Sequence, residues 1–134
     1  MPTATYNKFQ PAIANLLENI NSCTDSWAIK LATAVNAAAG TITEVANGNG
    51  YTTGGNAATV SSHAQTGGTY KLVLASPSTW TATGAGFSFQ YAVLVDTTTS
   101  TNVAYWDYGS SQTVAAGETV TVTLDATNGV FQAT

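Results

Sequence analysis

Few side chains in this chain of 134 residues have types that could act as a general base or a metal ligand. His63 is the single histidine and follows two serines, Ser61 and Ser62. A Ser–His–acid triad needs the imidazole within hydrogen-bond reach of both partners, and no Gly-x-Ser-x-Gly segment places a serine on a strained turn. We therefore expect no catalytic residues and no enzyme activity, with His63 as a solvated histidine on a strand.

Metal ligands and cofactor motifs are equally sparse. One histidine and one cysteine, Cys23, are too few for a structural zinc site, and a lone cysteine forms no internal disulfide. The acidic residues are scattered without an Asp-x-Asp-x-Asp calcium loop. The remaining alternative is a calcium site formed by two acids that meet in a loop. The glycines between 48 and 55 do not have the spacing of a phosphate-binding loop. The sequence predicts no metal and no cofactor.

Aromatic residues are the remaining source of recognition chemistry. Trp80 stands alone, whereas Tyr105, Trp106 and Tyr108 lie close together in one stretch. Strand alternation between 102 and 108 puts Trp106 and Tyr108 on one face and Tyr105 on the other. We expect these rings to pack in the core or at an interface. A flat platform for sugar rings, built on Trp80 or Trp106, is the alternative.

Charge is the unusual feature of the composition. Charged residues make up 7% of the chain, which has 24 threonines and no arginine. Nucleic-acid binding depends on Lys and Arg, so three lysines against seven acids predict no direct contact with nucleic acid. No apolar run approaches about 18 residues, and the N-terminus has no secretory pattern, so we expect synthesis in the cytoplasm and no membrane contact. A surface so poor in charge repels neighbouring subunits weakly.

The apolar spacing changes once along the chain. A period of 3.6 predicts an N-terminal helix over about 6–21, with Pro11 at or within its first turn. Its apolar stripe, which we expect to lie on the sheet, comprises Phe9, Ile13, Leu16, Leu17 and Ile20. From residue 27 the period is two, which predicts strands. The strands are expected at 27–32, 57–65, 69–75, 79–83, 86–95, 102–108, 118–125 and 129–133, and a short run at 42–45 is a further candidate.

Many short strands separated by turn residues are typical of an antiparallel β fold. We expect a mainly β protein: a single domain, 1–134, in which residues 27–133 form one antiparallel β-sandwich of jelly-roll or Greek-key type with seven or eight short strands. Residues 46–56 form a Gly/Asn-rich loop suited to positive φ. The pair Asn128-Gly129 predicts a type I′ hairpin. The order of the strands is left open.

Several segments resemble one protein family. They are Thr-Tyr-Asn-Lys-Phe at 5–9, Gly-Asn-Gly-Tyr-Thr-Thr-Gly-Gly at 48–55, Thr-Tyr-Lys-Leu-Val-Leu at 69–74, Tyr-Ala-Val-Leu at 91–94, Trp-Asp-Tyr-Gly at 106–109 and Ala-Ala-Gly-Glu-Thr at 115–119. With the residues between them, they resemble a family of small virion proteins of tailed bacteriophages over residues 3–133. The resemblance implies a structural protein without catalytic residues.

The role implied by this resemblance is capsid decoration, or cement. The expected location is the outer surface of the capsid of a tailed phage, and the expected partners are the major capsid protein and other copies of the chain, as a dimer or trimer. The alternatives are another virion component, such as a tail or head fibre, and a carbohydrate-binding β-sandwich module. The residues expected at the interface are Pro2, Thr3, Tyr6, Asn49, Tyr51, Thr53, Trp80, Trp106 and Tyr108, with Tyr51 and Trp106 as the main anchors.

Overall fold

The computed structural model of the protein describes residues 3–18 and 20–133, except for the side chains of residues 16–18. The described chain forms one helix and eleven strands, and every strand pairing is antiparallel. The elements are β1 (Thr5–Lys8), α1 (Gln10–Glu18), β2 (Trp27–Asn36), β3 (Thr41–Glu44), β4 (Asn56–Ala57), β5 (Val60–Thr66), β6 (Thr69–Leu74), β7 (Trp80–Thr81), β8 (Phe87–Asp96), β9 (Thr101–Val114), β10 (Thr119–Val120) and β11 (Phe131–Ala133). The prediction of an antiparallel β-sandwich with one N-terminal helix is confirmed.

The larger sheet has the order β1-β9-β8-β2-β3, and β4 pairs with β2 beside β3. Its centre is the hairpin of β8 and β9, in which Tyr91 lies opposite Asp107 and Ala92 opposite Trp106. On the other side of β8, Ala92 lies opposite Leu31. Because side chains opposite one another project to the same face, Leu31, Ala92 and Trp106 share one face of this sheet.

The smaller layer consists of a three-stranded sheet, β11-β6-β5, and the short pair β10-β7. It lies over the face of the larger sheet that carries Leu31, since the rings of Trp27 and Phe131 are 6.2 Å apart. Ile29 and Leu31 from β2 join Leu72 and Leu74 from β6 in one buried hydrophobic cluster. Exclusion of these apolar side chains from water holds the two layers together.

The helix is shorter than the sequence predicts. Residues 5–8, of which 6–8 were expected in the helix, pair with β9 instead, and Phe9 extends this pairing because its N–H donates to the carbonyl of Val103. The helix begins at Gln10, so Pro11 does lie in the first turn, where its missing N–H costs no helix hydrogen bond. The expected apolar stripe is also wrong in part: Phe9 and Ala12 are buried, but Ile13 is 56% exposed.

The described residues form eleven strands rather than seven or eight, and several strand predictions differ in extent or pairing. The expected strand 57–65 divides into β4 and β5, which belong to different sheets, and β2 continues to Asn36. β9 continues to Val114 rather than ending near 108, and only residues 119–120 of the expected strand 118–125 are paired. Asn128-Gly129 does not form the expected hairpin, because β10 pairs with β7 and β11 pairs with β6. The carboxylate of Asp125 instead accepts hydrogen bonds from the N–H groups of Thr127 and Asn128, which closes a different turn.

A buried carboxyl joins the β8–β9 turn to the segment before β2. Asp96 is fully buried, and its Oδ1 accepts hydrogen bonds from the N–H groups of Thr98 (2.9 Å) and Thr99 (3.1 Å). Its other oxygen, Oδ2, is buried without a hydrogen-bond partner among the described residues, and the carboxyl of Asp25 lies nearby. Burial, followed by this neighbouring carboxyl, raises the pKa of Asp96 from 3.8 to about 6. Protonation of Asp96 therefore stabilises this end of the fold.

We expect the substitution Asp96→Asn to remove a pH dependence of stability. The folded protein binds the Asp96 proton more tightly than the unfolded chain, so its stabilising effect is complete below about pH 4 and lost as the pH rises through about 6. Asparagine retains the acceptor for Thr98 and Thr99 and has no carboxyl proton to bind or release. The melting temperature of D96N relative to the wild type should rise between about pH 4 and pH 7.

Thermal unfolding followed by circular dichroism at several pH values measures this difference. The control is Asp125→Asn, because the Asp125 carboxylate is exposed and its pKa is lowered by hydrogen bonds from Asn128 and Thr127. That variant should lose stability relative to the wild type at neutral pH. A melting-temperature difference between D96N and the wild type that stays constant across this pH range would contradict the raised pKa of Asp96.

Candidate interaction surface

Three of the expected interface residues lie together at the edge of the larger sheet. Tyr6 on β1 lies opposite Trp106 on β9, and their rings meet edge to face with centroids 5.5 Å apart. Tyr108 projects to the same face as Trp106 and packs edge to face against Phe89, at 5.4 Å. Tyr6 is 37% exposed, and the other two are half-buried. We call Tyr6, Trp106 and Tyr108 the aromatic edge.

Two grooves flank Trp106. One, of about 430 Å³, lies between β1 and residues 128–132 and includes Lys8. The other, of about 410 Å³, lies between residues 3–4 and 121–123 and includes Tyr108. Trp106 and Asp125 line both grooves. Two adjacent hollows separated by an indole ring, with polar groups on their walls, can receive side chains of a partner or a sugar ring.

The titratable groups of this surface have defined charge states at neutral pH. Hydrogen bonds from the backbone and side chain of Asn128 and from the backbone of Thr127 lower the pKa of Asp125, so its carboxylate stays ionised. Burial raises the pKa of Tyr6 and of Tyr108, so both phenols stay neutral and can donate a hydrogen bond. The neutral rings of the aromatic edge therefore lie beside one negative charge, at Asp125, and one positive charge, at Lys8.

Tyr51 does not lie on the surface, which corrects its expected role as an interface anchor. It is 2% exposed, and its hydroxyl donates to Oε1 of Glu44 (2.7 Å) and accepts from the N–H of Leu31 (3.1 Å). The same Glu44 oxygen accepts from the N–H of Gly54 (2.6 Å). Burial and the Glu44 hydrogen bond raise the pKa of Tyr51 above its usual value. Tyr51 therefore anchors its loop to the sheet, because a buried hydroxyl needs such partners.

The Gly/Asn-rich loop presents other expected residues to solvent. Asn49 and Thr53 are exposed, as a surface contact requires. Asn49 has positive φ, and its backbone carbonyl accepts a hydrogen bond from the N–H of Thr83. Gly50, with φ of 95°, lies so close to the carbonyl oxygen of Thr81 that no side chain fits. The loop is thus held in one shape rather than free to adapt.

The remaining expected interface residues are divided among different places. Trp80 is 3% exposed and lies opposite Val120, so it belongs to the core and its expected surface role is wrong. An indole buries a large apolar area, which favours the interior unless a partner covers it. Thr3 is exposed beside the aromatic edge, at the groove that includes Tyr108. Pro2 lies outside the described residues.

Sequence reasoning missed two contributors to this surface, Lys8 and Asp125. Lys8 lies on β1, which the sequence assigned to the helix, and Asp125 was one of several scattered acids. A signal for β1 exists in the alternation of Thr5, Tyr6, Asn7 and Lys8, but it is only four residues long. The helical period that follows it outweighs so short a pattern.

The residues considered for catalysis and metal binding lie apart from this surface. His63 is exposed on β5, as predicted, and Cys23 is half-buried with its thiol directed to Oδ1 of Asn21. Within residues 3–18 and 20–133, no group of three or more His, Cys, Asp or Glu side chains could hold a metal ion. In the same residues, no helix has the length and apolar character needed to cross a membrane.

Comparison with known proteins adds no relative: no family model, no curated protein and no solved structure matches this chain.

We expect Tyr51→Phe to destabilise the fold by about 1–2 kcal/mol, because it leaves the buried N–H of Leu31 without an acceptor. Urea unfolding followed by tryptophan fluorescence measures the change. The control is Tyr91→Phe, whose hydroxyl is half-exposed and accepts only from the side chain of Gln90. That variant should change the unfolding free energy by less than about 0.5 kcal/mol. Equal losses for both variants would contradict the anchoring role of Tyr51.

Proposed function

We propose that this protein is a virion structural protein that decorates the capsid of a tailed bacteriophage from outside. It binds the major capsid protein and neighbouring copies of itself, and it stabilises the assembled shell. The observation that carries this proposal is the aromatic edge: three rings beside two grooves and few charges, at the edge of the sandwich. Aromatic side chains at such positions dominate the energy of many protein interfaces.

The composition supports the same function. Motifs along residues 3–133 resemble those of small phage virion proteins. Charged residues form 7% of the chain, and the exposed threonines at 121 and 123 line the groove that includes Trp106 and Tyr108. A surface of this kind loses little hydration energy and meets little repulsion when it packs against another subunit. Such a protein suits permanent contact in an assembly.

The mechanism follows from mass action. A protein that binds only the assembled shell lowers the free energy of that state and raises the cost of its rupture. Many copies on one particle add their contributions, and a copy bound at two sites gains through effective concentration. The aromatic edge supplies the desolvated anchor, and the fixed loop with Asn49 and Thr53 supplies a second, polar contact.

Purified protein added to undecorated heads should bind them and raise the temperature at which they rupture. We expect Tyr6→Ala and Trp106→Ala each to weaken this binding by at least about tenfold, since truncated interface anchors commonly cost more than about 1.4 kcal/mol. Binding is measured by co-sedimentation and rupture by the release of packaged DNA. The matched control is Tyr91→Ala, because Tyr91 lies opposite Asp107, on the other face of the same sheet.

The wild-type protein must bind and stabilise heads for the proposal to stand. No binding of the folded wild-type protein would eliminate the decoration function. If Trp106→Ala and Tyr91→Ala weaken binding to heads equally, the decoration function stands, but the aromatic edge is not the contact surface. Circular dichroism of each variant confirms that the variants compared are folded.

A carbohydrate-binding module is the second candidate, and one observation favours it. Trp106 is half-buried between two grooves whose walls carry hydroxyl groups and the carboxylate of Asp125. An indole face beside hydrogen-bonding groups is a suitable surface for a sugar ring. Trp80, the other tryptophan considered for this role, is buried in the core.

Tryptophan fluorescence separates this candidate from the first. Trp27 and Trp80 are 4% and 3% exposed, so a ligand that binds at the surface should change the emission of Trp106 alone. For a carbohydrate module, titration with purified cell-surface polysaccharide shifts the emission, and Trp106→Phe abolishes the shift. A flat titration together with binding to heads supports decoration.

A further inference from the structure

The hairpin of β5 and β6 projects from the sandwich. β5 is an edge strand, since within the described residues it pairs only with β6. All residues from Ser61 to Gly68 are exposed, whereas Leu72 and Leu74 at the base of β6 are buried. Both faces and one edge of the outer part of β5 are therefore open to solvent.

The turn determines which backbone groups point outward. Gly67 and Gly68 both have positive φ, at 58° and 83°, which a two-residue type I′ turn requires. The residues that flank such a turn, Thr66 and Thr69, exchange hydrogen bonds, and bonded pairs then alternate along the hairpin. The N–H and C=O groups of His63 and Gln65 consequently point away from β6.

The pairing on the other side of β6 agrees with this alternation. Leu72 lies opposite His63 on β5 and opposite Phe131 on β11. The carbonyl of Leu72 accepts a hydrogen bond from the N–H of Val130, so it is directed to the β11 side. The pair His63–Leu72 is thus a non-hydrogen-bonded pair, and the polar backbone groups of His63 face solvent at the free edge.

β5 has few of the features that protect edge strands. The other edge strands in the described chain have four residues or fewer, and β1 and β3 carry Lys8 and Glu44; they are β1, β3, β4, β7, β10 and β11. β5 has seven residues with no Lys, Arg, Asp, Glu or Pro. Its one irregularity is a register shift between Val60 and Ser62. A long, uncharged edge is a template for another strand.

We propose that β5 pairs antiparallel with β5 of a second copy of this chain, about a two-fold axis at Ala64. The pairing begins beyond the irregularity at Ser61. It joins the three-stranded sheet of one copy to the same sheet of the other copy. His63 of each copy lies opposite Gln65 of the other, and the pair exchanges its outward N–H and C=O groups in about four main-chain hydrogen bonds. The free edge of β5 is therefore complementary to the same edge of a second copy.

The side chains favour a second copy as the occupant. At the two-fold axis, Ala64 meets Ala64 at a non-hydrogen-bonded position, where side chains approach most closely and small ones fit. Ser62 lies opposite Thr66, so hydroxyl groups meet hydroxyl groups. The nearest charge is Lys71, opposite Ala64 on β6. The two Lys71 side chains are separated by roughly 14 Å, three strand spacings, which exceeds the screening length of about 8 Å in physiological salt.

One strand pair buries less than the roughly 1,000 Å² typical of a stable interface, so the dimer forms at high protein concentration. On a surface that holds many copies, such a weak contact becomes effective because the copies are already close. The inference concerns the isolated chain and does not depend on the proposed decoration function. If the isolated protein forms no β5 dimer, the proposed decoration function still stands. If the dimer forms but never binds heads, only the decoration function is ruled out.

Disulfide trapping tests the register. In a Cys23→Ser background, Ala64→Cys places two thiols at the axis, within reach of a disulfide. Thr66→Cys places its two thiols roughly 13 Å apart, four residues along the strand. Under mild oxidation at high concentration, we expect about tenfold more linked dimer for A64C than for T66C. A mixture of S62C and T66C chains should yield the mixed dimer.

Random collision would link A64C and T66C to equal extents, and that result overturns the proposal. The absence of any linked A64C dimer in the isolated protein also overturns the proposal. This includes the case in which A64C links only to capsid protein on heads. Ala64 and Thr66 are both exposed, so neither A64C nor T66C creates a buried polar group.

A variant that blocks the edge completes the test. His63→Pro removes only an N–H that points to solvent, so it is tolerated at an edge strand and leaves the β5–β6 pairing intact. We expect H63P to retain the wild-type melting temperature within a few degrees and to reduce A64C linking about tenfold. Undiminished linking in the folded H63P variant contradicts pairing through this edge. If H63P does not fold, Gln65→Lys serves instead, because it sets a charge at the pairing edge.

Discussion

Burial of the central strand β8 on both faces is the constraint on which the rest of the structure depends. Residues 92–96 are all buried, and alternate side chains project to opposite faces of the larger sheet. The face with Leu94 lies under the smaller layer. On the other face, Phe9 packs against Tyr105 with ring centroids 5.0 Å apart. A strand covered in this way needs neighbours on both edges, and β2 and β9 supply them.

Placing β9 beside β8 creates the surface that we assign to binding. β9 has 14 residues, of which Val103, Ala104 and Val114 are buried, while Trp106 and Tyr108 in its middle remain half-exposed. β1 then pairs with β9 and brings Tyr6 against Trp106. The rings are held by backbone pairing on a rigid sheet, so a partner that binds them has little conformational entropy to remove.

Scarcity of charge leads to specific solutions inside the fold. Lys30 and Glu44 form an ion pair at 3.5 Å, and Glu44 also receives hydrogen bonds from the hydroxyl of Tyr51 and the N–H of Gly54. Each charge is thus satisfied locally instead of by solvent. The same scarcity leaves the outside of the molecule poor in charged residues, so it repels other subunits weakly. It also leaves β5 without charged residues to prevent strand pairing.

The sequence by itself determined the class of the fold and the nature of its turns. Alternation in 87–95 and 102–108 is a local property, so it predicted strands and placed Trp106 and Tyr108 on one face. Glycines in 46–56 permit positive φ without steric cost, and their backbone adopts it. The exposure of His63 followed from its polar neighbours.

Tertiary structure decided whatever depends on a distant partner. Thr5–Lys8 form a strand because β9 offers a free edge about one hundred residues later, a contact that the local helical period cannot reveal. Tyr51 and Trp80 are buried because the hydroxyl of Tyr51 reaches Glu44 and because Val120 pairs with Trp80. An aromatic residue satisfies the same local pattern on the surface or in the core, and only the layers packed around it determine which position it takes.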